Sequence, residues 1–390
     1  MFSYGTKIQI FLEWHIPFAL FLRSYKKKSF FHGVNLSLVT WNKCIFGRFL
    51  DEYSMRNKLF VCLLFLGALS AFAQNGDEAF TFLRFPFSAR VGALGGSNVA
   101  LVERDPSLLF QNPALLGAEM DGMINLNYMN YISDVNVGNA LFTKAAGERA
   151  AWGVGASFIS YGNIKEVLPE NVVLGDLAAK DIGVQGFYAR DLNERWRAGL
   201  SMKFLYSAFA DFTSIGLCFD AGLSYYHSDK GFSAAITLKN IGAQLKAYND
   251  DRQKMPWDIQ LGVTQKMKHA PIRLSVTAMY LKRWKFDVVD DTDGGHKEDN
   301  FAKTLFKHLV FGIDFVPNDN FWVGIGFNPK VNSDMKLQGA NGFAGLSGGA
   351  GIKIKMFDVG VSVAKYHPSA LSMMVSISTT LADFKRSEKE

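Results

Sequence analysis

The acidic run Asp290–Asp299 is the segment whose residue types come nearest to binding a metal ion. It reads DDTDGGHKED, with closely spaced carboxylates followed by glycine. A calcium loop of the EF-hand type requires D-x-[DN]-x-[DN]-G-x₅-E in register, and the run lacks that arrangement. We therefore expect a solvated loop and predict no metal site.

Side chains suited to catalysis are scarce. Beyond residue 73 the chain has five histidines, and none follows the spacing H-x-x-x-H or HExxH. Cys218 has no neighbouring histidine in sequence, which favours a small filling residue over a nucleophile. The stretch Gly92–Gly96 lacks both the GxGxxG spacing and the lysine of a phosphate-binding loop. We therefore predict no catalytic residue and no cofactor, which argues against an enzyme.

A secretory signal peptide begins inside the chain, at residues 55–73. It reads MRNKLFVCLLFLGALSAFA, with a basic start, an apolar centre and the small-x-small cleavage site Ala71–Ala73. The apolar stretch is shorter than the roughly 20 residues of a membrane-spanning helix. We interpret residues 1–54 as an upstream extension from a mis-assigned start codon, with a long n-region or a separate cytoplasmic segment as the alternative.

Excluding these residues changes the charge of the expected mature chain. The whole chain has 42 Lys and Arg against 36 Asp and Glu, and nine of the basic and three of the acidic residues precede position 74. The remaining 33 of each sign balance, so the chain gives no reason to expect nucleic acid as a partner. Cys218 is the one cysteine left, so no internal disulfide can form.

From residue 125 onward the sequence alternates with the period of two that is typical of strands. In Trp196–Tyr206 the even-numbered positions are apolar, whereas the odd-numbered ones are mostly glycine, serine or charged. Segments of about 10 residues are long enough to cross a bilayer when tilted. The pattern predicts strands at 125–132, 137–146, 150–160, 181–190, 196–207, 213–226, 232–241, 258–267, 271–283, 308–316, 320–328, 343–355, 358–366 and 370–381.

The connections between these segments alternate between short and long. The longest fall in the same set of alternate positions, namely Tyr161–Lys180, Gly242–Trp257, Trp284–Lys307 and Asn328–Gly342. Outer-membrane barrels have tight periplasmic turns and long external loops, whereas a soluble sandwich has no reason to sort its loops. We therefore predict an all-β fold, a transmembrane outer-membrane barrel of about fourteen antiparallel strands over 125–384, followed by a polar tail at 385–390.

Aromatic residues recur near the ends of the predicted strands. This placement is typical of the two aromatic girdles at the bilayer interfaces. The predicted girdle residues are Tyr128, Tyr131, Trp152, Tyr188, Trp196, Tyr206, Tyr225, Tyr226, Tyr280, Trp284 and Phe321.

Residues 74–124 do not alternate, and we interpret them as a hatch or plug folded into the barrel lumen. Their motif residues are Ser88, Arg90, Gly95, Gly96, Asp105, Asn112, Pro113 and Ala114. In combination these motifs resemble the N-terminus of FadL-like outer-membrane barrels, and within them the PorV/PorQ branch of the type IX secretion system of Bacteroidota. Stretches such as Lys239–Tyr248 resemble the PorQ family in particular. The resemblance covers 80–383 and is weakest at the acidic insertion Asp287–Lys303.

The resemblance implies a function and partners. PorQ-like proteins are non-catalytic barrels that are thought to hold a PorZ-like surface protein at the outer membrane, beside PorU-like and PorV-like components. That machinery matures secreted cargo and links it to anionic lipopolysaccharide. The expected partners are therefore these proteins, outer-membrane lipid and lipopolysaccharide. Lys282, Arg283 and Lys285 at the predicted strand end are placed to contact the phosphates of the lipid. The expected contact loops are 161–180, 242–257 and 284–307.

A transporter of hydrophobic compounds, as FadL itself is, remains the alternative. It would need a pathway from the loops into an apolar pocket, and usually a lateral opening at a kinked strand. The glycines Gly345, Gly348, Gly349 and Gly351 are placed to make such a kink, or else to leave room for the plug.

Overall fold

The computed structural model describes residues 78–167, 173–249, 252–284, 286, 300–335, 343–367 and 370–383. The predicted upstream extension, signal peptide and polar tail lie outside these residues, as does most of the acidic insertion.

The described residues form a closed barrel of fourteen strands. In chain order these are β1 (Met123–Asn130), β2 (Asn136–Ala145), β3 (Ala150–Val167), β4 (Val173–Asp191), β5 (Trp196–Phe209), β6 (Phe212–His227), β7 (Phe232–Lys246), β8 (Asp258–Lys266), β9 (Ile272–Ala278), β10 (Leu309–Asn318), β11 (Phe321–Phe327), β12 (Leu346–Ile354), β13 (Phe357–His367) and β14 (Ala370–Thr380). Every strand pairs antiparallel with its sequence neighbours, and β1 pairs with β14. Closure gives the strands backbone partners inside a bilayer, where water cannot supply them. The predicted fold is therefore confirmed.

The connection predicted at 161–180 was wrong in extent, because β3 and β4 are longer than expected. The two strands resume pairing at Asn163 with Ala178 and continue to Val167 with Val173. The register shifts between Ser160 and Asn163, where Gly162 adopts a φ of +71°. Such a bulge interrupts the period of two, so the sequence pattern places the strand end too early.

Strand β9 ends five residues before its predicted limit of 283, at Ala278. Tyr280 has a φ of +58°, and its backbone N–H donates to Asp258 Oδ2 at 2.9 Å. The chain therefore leaves the sheet at this point.

The two faces of the barrel wall differ in chemistry. On β5, the outward side chains of Leu200 and Met202 are 60% and 54% exposed, whereas Ser201 and Lys203 point inward and are buried. An apolar outer face with a polar inner face is the arrangement expected of a barrel in lipid.

Two short α-helices, α2 (Phe301–Lys307) and α3 (Pro329–Asp334), lie in the connections that follow β9 and β11. No helix among the described residues is long and apolar enough to cross a membrane.

Residues 78–122, which we call the inner segment, pack against the inner face of the barrel. The segment contains α1 (Ala89–Ala93) and short 3-10 turns, and it contacts every one of the fourteen strands. Hydrogen bonds join its backbone to inward-facing side chains, for example Ala89 N to Ser376 Oγ at 2.8 Å and Ser233 Oγ to Ala100 O at 2.6 Å. The inner segment thus occupies the lumen and forms the core with the wall.

Candidate functional site

The motif residues Ser88 and Asp105 meet inside the barrel. Ser88 caps α1 by accepting a hydrogen bond from Val91 N at 3.4 Å. The hydroxyl of Ser107 lies 2.7 Å from Ser88 Oγ and 2.7 Å from Asp105 Oδ1. Asp105 also accepts from Ser107 N at 2.9 Å, which begins the next turn. The two motif residues therefore fix one turn of the inner segment against another.

Arg90 joins the inner segment to the wall through buried charges. Its guanidinium donates to Glu103 at 2.9 and 3.1 Å and to Asp314 on β10. Arg273 on β9 donates to Glu103 at 2.5 Å and to Asp314 at 2.6 Å. Arg90 also lies 4.2 Å from the centre of the Trp322 ring. Two cations and two anions balance, and we call these four charged residues the charge cluster.

Electrostatics favour the ionised form of Glu103. Burial acts to raise its pKa, but the charges of Arg273 and Arg90 and the hydrogen bonds from both guanidiniums outweigh that effect. The pKa of Glu103 falls from 4.5 to about 2 as a result. Glu103 is therefore ionised at neutral pH.

Gly95 and Gly96 form the turn that follows α1. Their φ angles are +93° and +88°, a region that side chains with a Cβ rarely occupy. The turn lies against β11 so closely that a Cβ added at Gly326 would be 2.0 Å from Gly95 N. Both the backbone angles and the close approach require glycine at this contact.

The sequence Asn112-Pro113-Ala114 forms a second tight turn. Asn112 Oδ1 accepts from Ala114 N at 2.9 Å, and its Nδ2 donates to Val99 O at 2.9 Å. Pro113 occupies the first helical position, where a missing N–H costs nothing. This asparagine therefore caps its own turn and ties it to another part of the inner segment.

Glycines in the wall allow the inner segment to approach the strand backbones closely. A Cβ added at Gly199 would lie 2.3 Å from the Pro113 backbone, and one at Gly222 would lie 1.9 Å from Asn112 Oδ1. At these points the inner segment and the wall leave no room for a methyl group.

Two glycines of β12 lie against side chains inside the barrel. A Cβ at Gly349 would lie 2.9 Å from the Ala93 side chain, and one at Gly351 would lie 2.2 Å from the Trp322 ring. Strand β12 pairs with both of its neighbours along its length. The wall is therefore closed at this strand, and Gly349 and Gly351 leave room for inner packing.

A cavity of about 460 Å³ lies at the end of the barrel that carries the long connections. Its lining includes Phe80, Tyr161, Asp181, Ser207, Phe209, Phe212 and Tyr248. These come from the start of the inner segment, from the ends of β3 to β6 and from the connection after β7. The cavity therefore sits above the inner segment, and we call it the external cavity.

The arrangement of strands resembles solved outer-membrane channels. The monoaromatic hydrocarbon channel CymD matches with a TM-score of 0.50 and 12% identity, over 78% of this chain and 99% of that one. A FadL homologue of Pseudomonas aeruginosa matches with a TM-score of 0.44 and 12% identity, over 75% and 97%. The Pseudomonas putida toluene transporter TodX matches with a TM-score of 0.47 and 10% identity, over 76% and 98%.

The barrel shares the fold of the CymD channel. The sequence identity is low, and the structural similarity concerns the fold alone. No family model matches the chain. No curated protein matches it either.

Several predicted girdle residues of the barrel face outward near strand ends. Trp152, Tyr188 and Trp196 are 38%, 48% and 40% exposed near the periplasmic turns, where Tyr225 packs on Trp196. Tyr128 and Tyr206 lie toward the other end, and Phe321 lies at a periplasmic strand end, 37% exposed. Tyr226 is 39% exposed at the periplasmic rim, but it has the inward parity of β6, opposite Ser233.

Three predicted girdle residues are placed differently. Tyr131 packs on Phe85 of the inner segment, with ring centres 4.7 Å apart. Tyr280 lies in the connection after β9 with Arg84 over its ring. Trp284 lies in the same connection and stacks on Phe301 at 6.1 Å. These side chains leave the wall where the chain leaves the sheet, which alternation alone does not indicate.

The sequence analysis missed the partners of Arg90. Glu103, Arg273, Asp314 and Trp322 each lie far from Arg90 in sequence or outside the family motif. The available signal was alternation, because Arg273 and Asp314 occupy inward positions on predicted strands.

The described residues hold no grouping of three or more His, Cys, Asp or Glu side chains suited to a metal ion. Cys218 is buried on the inner face of β6 as a free thiol. His308 Nδ1 donates to Met279 O at 2.7 Å, and the ring packs on Trp284.

Proposed function

We propose that this chain is a non-enzymatic outer-membrane barrel that holds a surface partner at its external end, in the manner of PorQ-like proteins of the type IX secretion system. The observation that carries the proposal is the filled lumen. The inner segment contacts all fourteen strands and meets the wall at backbone distance near Gly199 and Gly222. A barrel plugged in this way offers its external surface for function more readily than its axis.

Exposed aromatic side chains at the external end support a docking role. Phe301 on α2 is 68% exposed, and Phe343 before β12 is 71% exposed. Large exposed apolar groups outside the lipid-facing wall are typical of protein interaction sites. The family resemblance identifies the expected partner as a PorZ-like surface protein.

The test is recovery of partners from the native outer membrane in mild detergent, followed by mass spectrometry. The tagged mature chain should recover PorZ-like, PorU-like and PorV-like proteins. The double variant Phe301→Ser/Phe343→Ser should recover less, whereas Phe357→Ser, at a periplasmic strand end, serves as the matched control. Recovery of the tagged barrel alone would contradict the proposal.

A second function, uptake of small hydrophobic compounds, is favoured by the external cavity. Its volume of about 460 Å³ lies within the range of small-molecule sites. The names of the similar solved structures, a monoaromatic hydrocarbon channel and a toluene transporter, support this function rather than anchoring.

The wall also has a discontinuity that would serve such uptake. Pairing of β7 with β8 stops at Lys239 with Asp258, although β7 continues to Lys246. On the external side of this point β7 lacks its β8 partner. A compound leaving the external cavity toward lipid would pass most easily here.

Filling the external cavity tests this second function. Ala179→Phe should reduce cellular uptake of radiolabelled toluene, because Ala179 lines the cavity and is 7% exposed. Ala243→Phe is the matched control, since Ala243 faces outward on β7. Equal uptake by cells with and without the barrel would remove this function from consideration.

A further inference from the structure

We propose that the external cavity binds a small organic cation, meaning a protonated amine or quaternary ammonium group carried on an apolar or aromatic body. The proposal depends on neither candidate function, because it concerns the chemistry that the cavity lining selects.

The first observation is a buried carboxylate whose partners among the described residues are hydroxyl groups. Asp181 on β4 is 5% exposed and lines the external cavity. Tyr161 donates its hydroxyl to Asp181 Oδ2 at 2.5 Å, and Ser207 donates a second hydrogen bond. The Tyr248 hydroxyl donates in turn to Ser207. These hydrogen bonds orient the carboxylate and supply no counter-charge.

The second observation is that two basic side chains, Arg84 and Lys282, pair with Glu78 and not with Asp181. Glu78, which also lines the cavity, pairs with Arg84 at 2.5 Å and Lys282 at 3.3 Å. Within the part of the chain that the structure describes, Asp181 forms none of the ion pairs. Burying a charge without a counter-charge is unfavourable, and a cationic ligand would supply the missing partner.

The third observation is the number of aromatic rings around this carboxylate. The rings that line the cavity are those of Phe80, Tyr161, Phe209, Phe212 and Tyr248. Aromatic faces attract cations, and several rings around one site are the known means of recognising quaternary ammonium groups. Gly216 makes this possible on one side, because a Cβ there would lie 2.6 Å from the Phe80 ring.

These features favour a cation over other ligands of the same size. An anion would be repelled by Asp181, and a neutral hydrocarbon would bury the carboxylate further without compensating its charge. A cation with an aromatic body satisfies the carboxylate and the rings together, and a volume of about 460 Å³ accommodates it.

The test compares two probes of nearly identical shape. Benzyltrimethylammonium and its neutral carbon isostere, neopentylbenzene, are titrated into the purified mature chain in detergent, with binding followed by calorimetry. The wild-type protein should bind the cation at least about tenfold more tightly than the isostere. Asp181→Asn should abolish that preference, whereas Asp319→Asn, at a periplasmic turn, should keep it. Folding of each variant is checked by its heat-modifiable migration in detergent gels.

A second variant keeps the test decisive if Asp181→Asn does not fold. Tyr161→Phe removes one hydrogen bond that stabilises the carboxylate charge, so the preference for the cation should decrease. Equal binding of the two probes by the wild type, a preference that survives in Asp181→Asn, or an unchanged preference in Tyr161→Phe would overturn the proposal. Binding of the isostere alone would leave hydrocarbon uptake intact while refuting the cation site.

Discussion

Replacing Arg90 with methionine should destabilise the folded barrel strongly, because it removes one cation from a balanced buried group. Arg90 is 2% exposed, and it contacts both carboxylates of the charge cluster. Methionine keeps most of the aliphatic length of the side chain but carries no charge. The variant therefore leaves Glu103 and Asp314 facing Arg273 alone.

The expected loss follows from known costs of breaking buried pairs. Removing one partner of a buried ion pair typically costs about 3–5 kcal/mol. The lost contact with the Trp322 ring, at 4.2 Å from Arg90, adds to this by about 0.5–2 kcal/mol. One nitrogen of Arg90, Nη1, has no hydrogen-bond partner among the described residues, which offsets part of the loss. We expect a net loss of about 3–5 kcal/mol.

A double-mutant cycle separates the charge effect from lost packing. Asp314→Asn removes one anion, so Arg90→Met/Asp314→Asn restores one cation against one anion. The double variant should therefore be more stable than the sum of the two single losses predicts, by about 0.5–3 kcal/mol. Guanidinium unfolding of the barrel in detergent, followed by tryptophan fluorescence, measures all four proteins, and Arg195→Met in an exposed periplasmic turn is the control.

Two results would refute the reasoning. If Arg90→Met unfolded within about 0.5 kcal/mol of the wild type, as ordinary surface substitutions do, the charge cluster would not hold the inner segment. If the double variant were simply additive, the two residues would act independently, and packing rather than charge would explain any loss.

Three further predictions concern the wall and the inner segment. Gly222→Val should prevent the inner segment from packing against β6, since its Cβ would lie 1.9 Å from Asn112 Oδ1. The control Gly186→Ala faces outward and meets nothing within 4 Å, and heat-modifiable migration in gels compares the folding of the two variants. Leu200→Arg, at a lipid-facing position that is 60% exposed, should cost about 2–4 kcal/mol in guanidinium unfolding, unlike Leu192→Arg in a turn. Because the pKa of Glu103 is lowered from 4.5 to about 2, its stabilising effect should be complete above about pH 4.5 and disappear toward pH 2; Glu103→Gln should flatten that part of the stability curve.

The wall could be predicted from the sequence because each strand repeats a local rule. Alternation fixes which side chains face lipid and which face inward, so Leu200 and Ser201 take opposite faces without any knowledge of distant residues. The rule fails where the backbone leaves the regular pleat, as at Gly162 and Tyr280 with their positive φ angles. There the strand ends depend on bulges and on side-chain bonds such as that from Tyr280 N to Asp258.

The inner contacts could not be predicted in the same way. Arg90 and Asp314 are separated by 224 positions, and no local pattern connects them. The external cavity has the same origin, since Phe80 comes from the inner segment and Asp181 from β4. Contacts of this kind depend on how the inner segment packs inside the closed barrel.

The sequence of the wall nevertheless indicates where the inner segment packs against it. Gly199, Gly222, Gly326 and Gly349 all occupy inward positions, and each lies where the inner segment approaches within a distance that excludes a Cβ. Glycine weakens a strand, so its recurrence on the inner face of a barrel requires a compensating contact. In a barrel with a water-filled lumen those positions would admit polar side chains of any size. Inward glycines on successive strands therefore indicate a filled lumen. Both candidate functions, anchoring and transport, have to be compatible with a filled lumen.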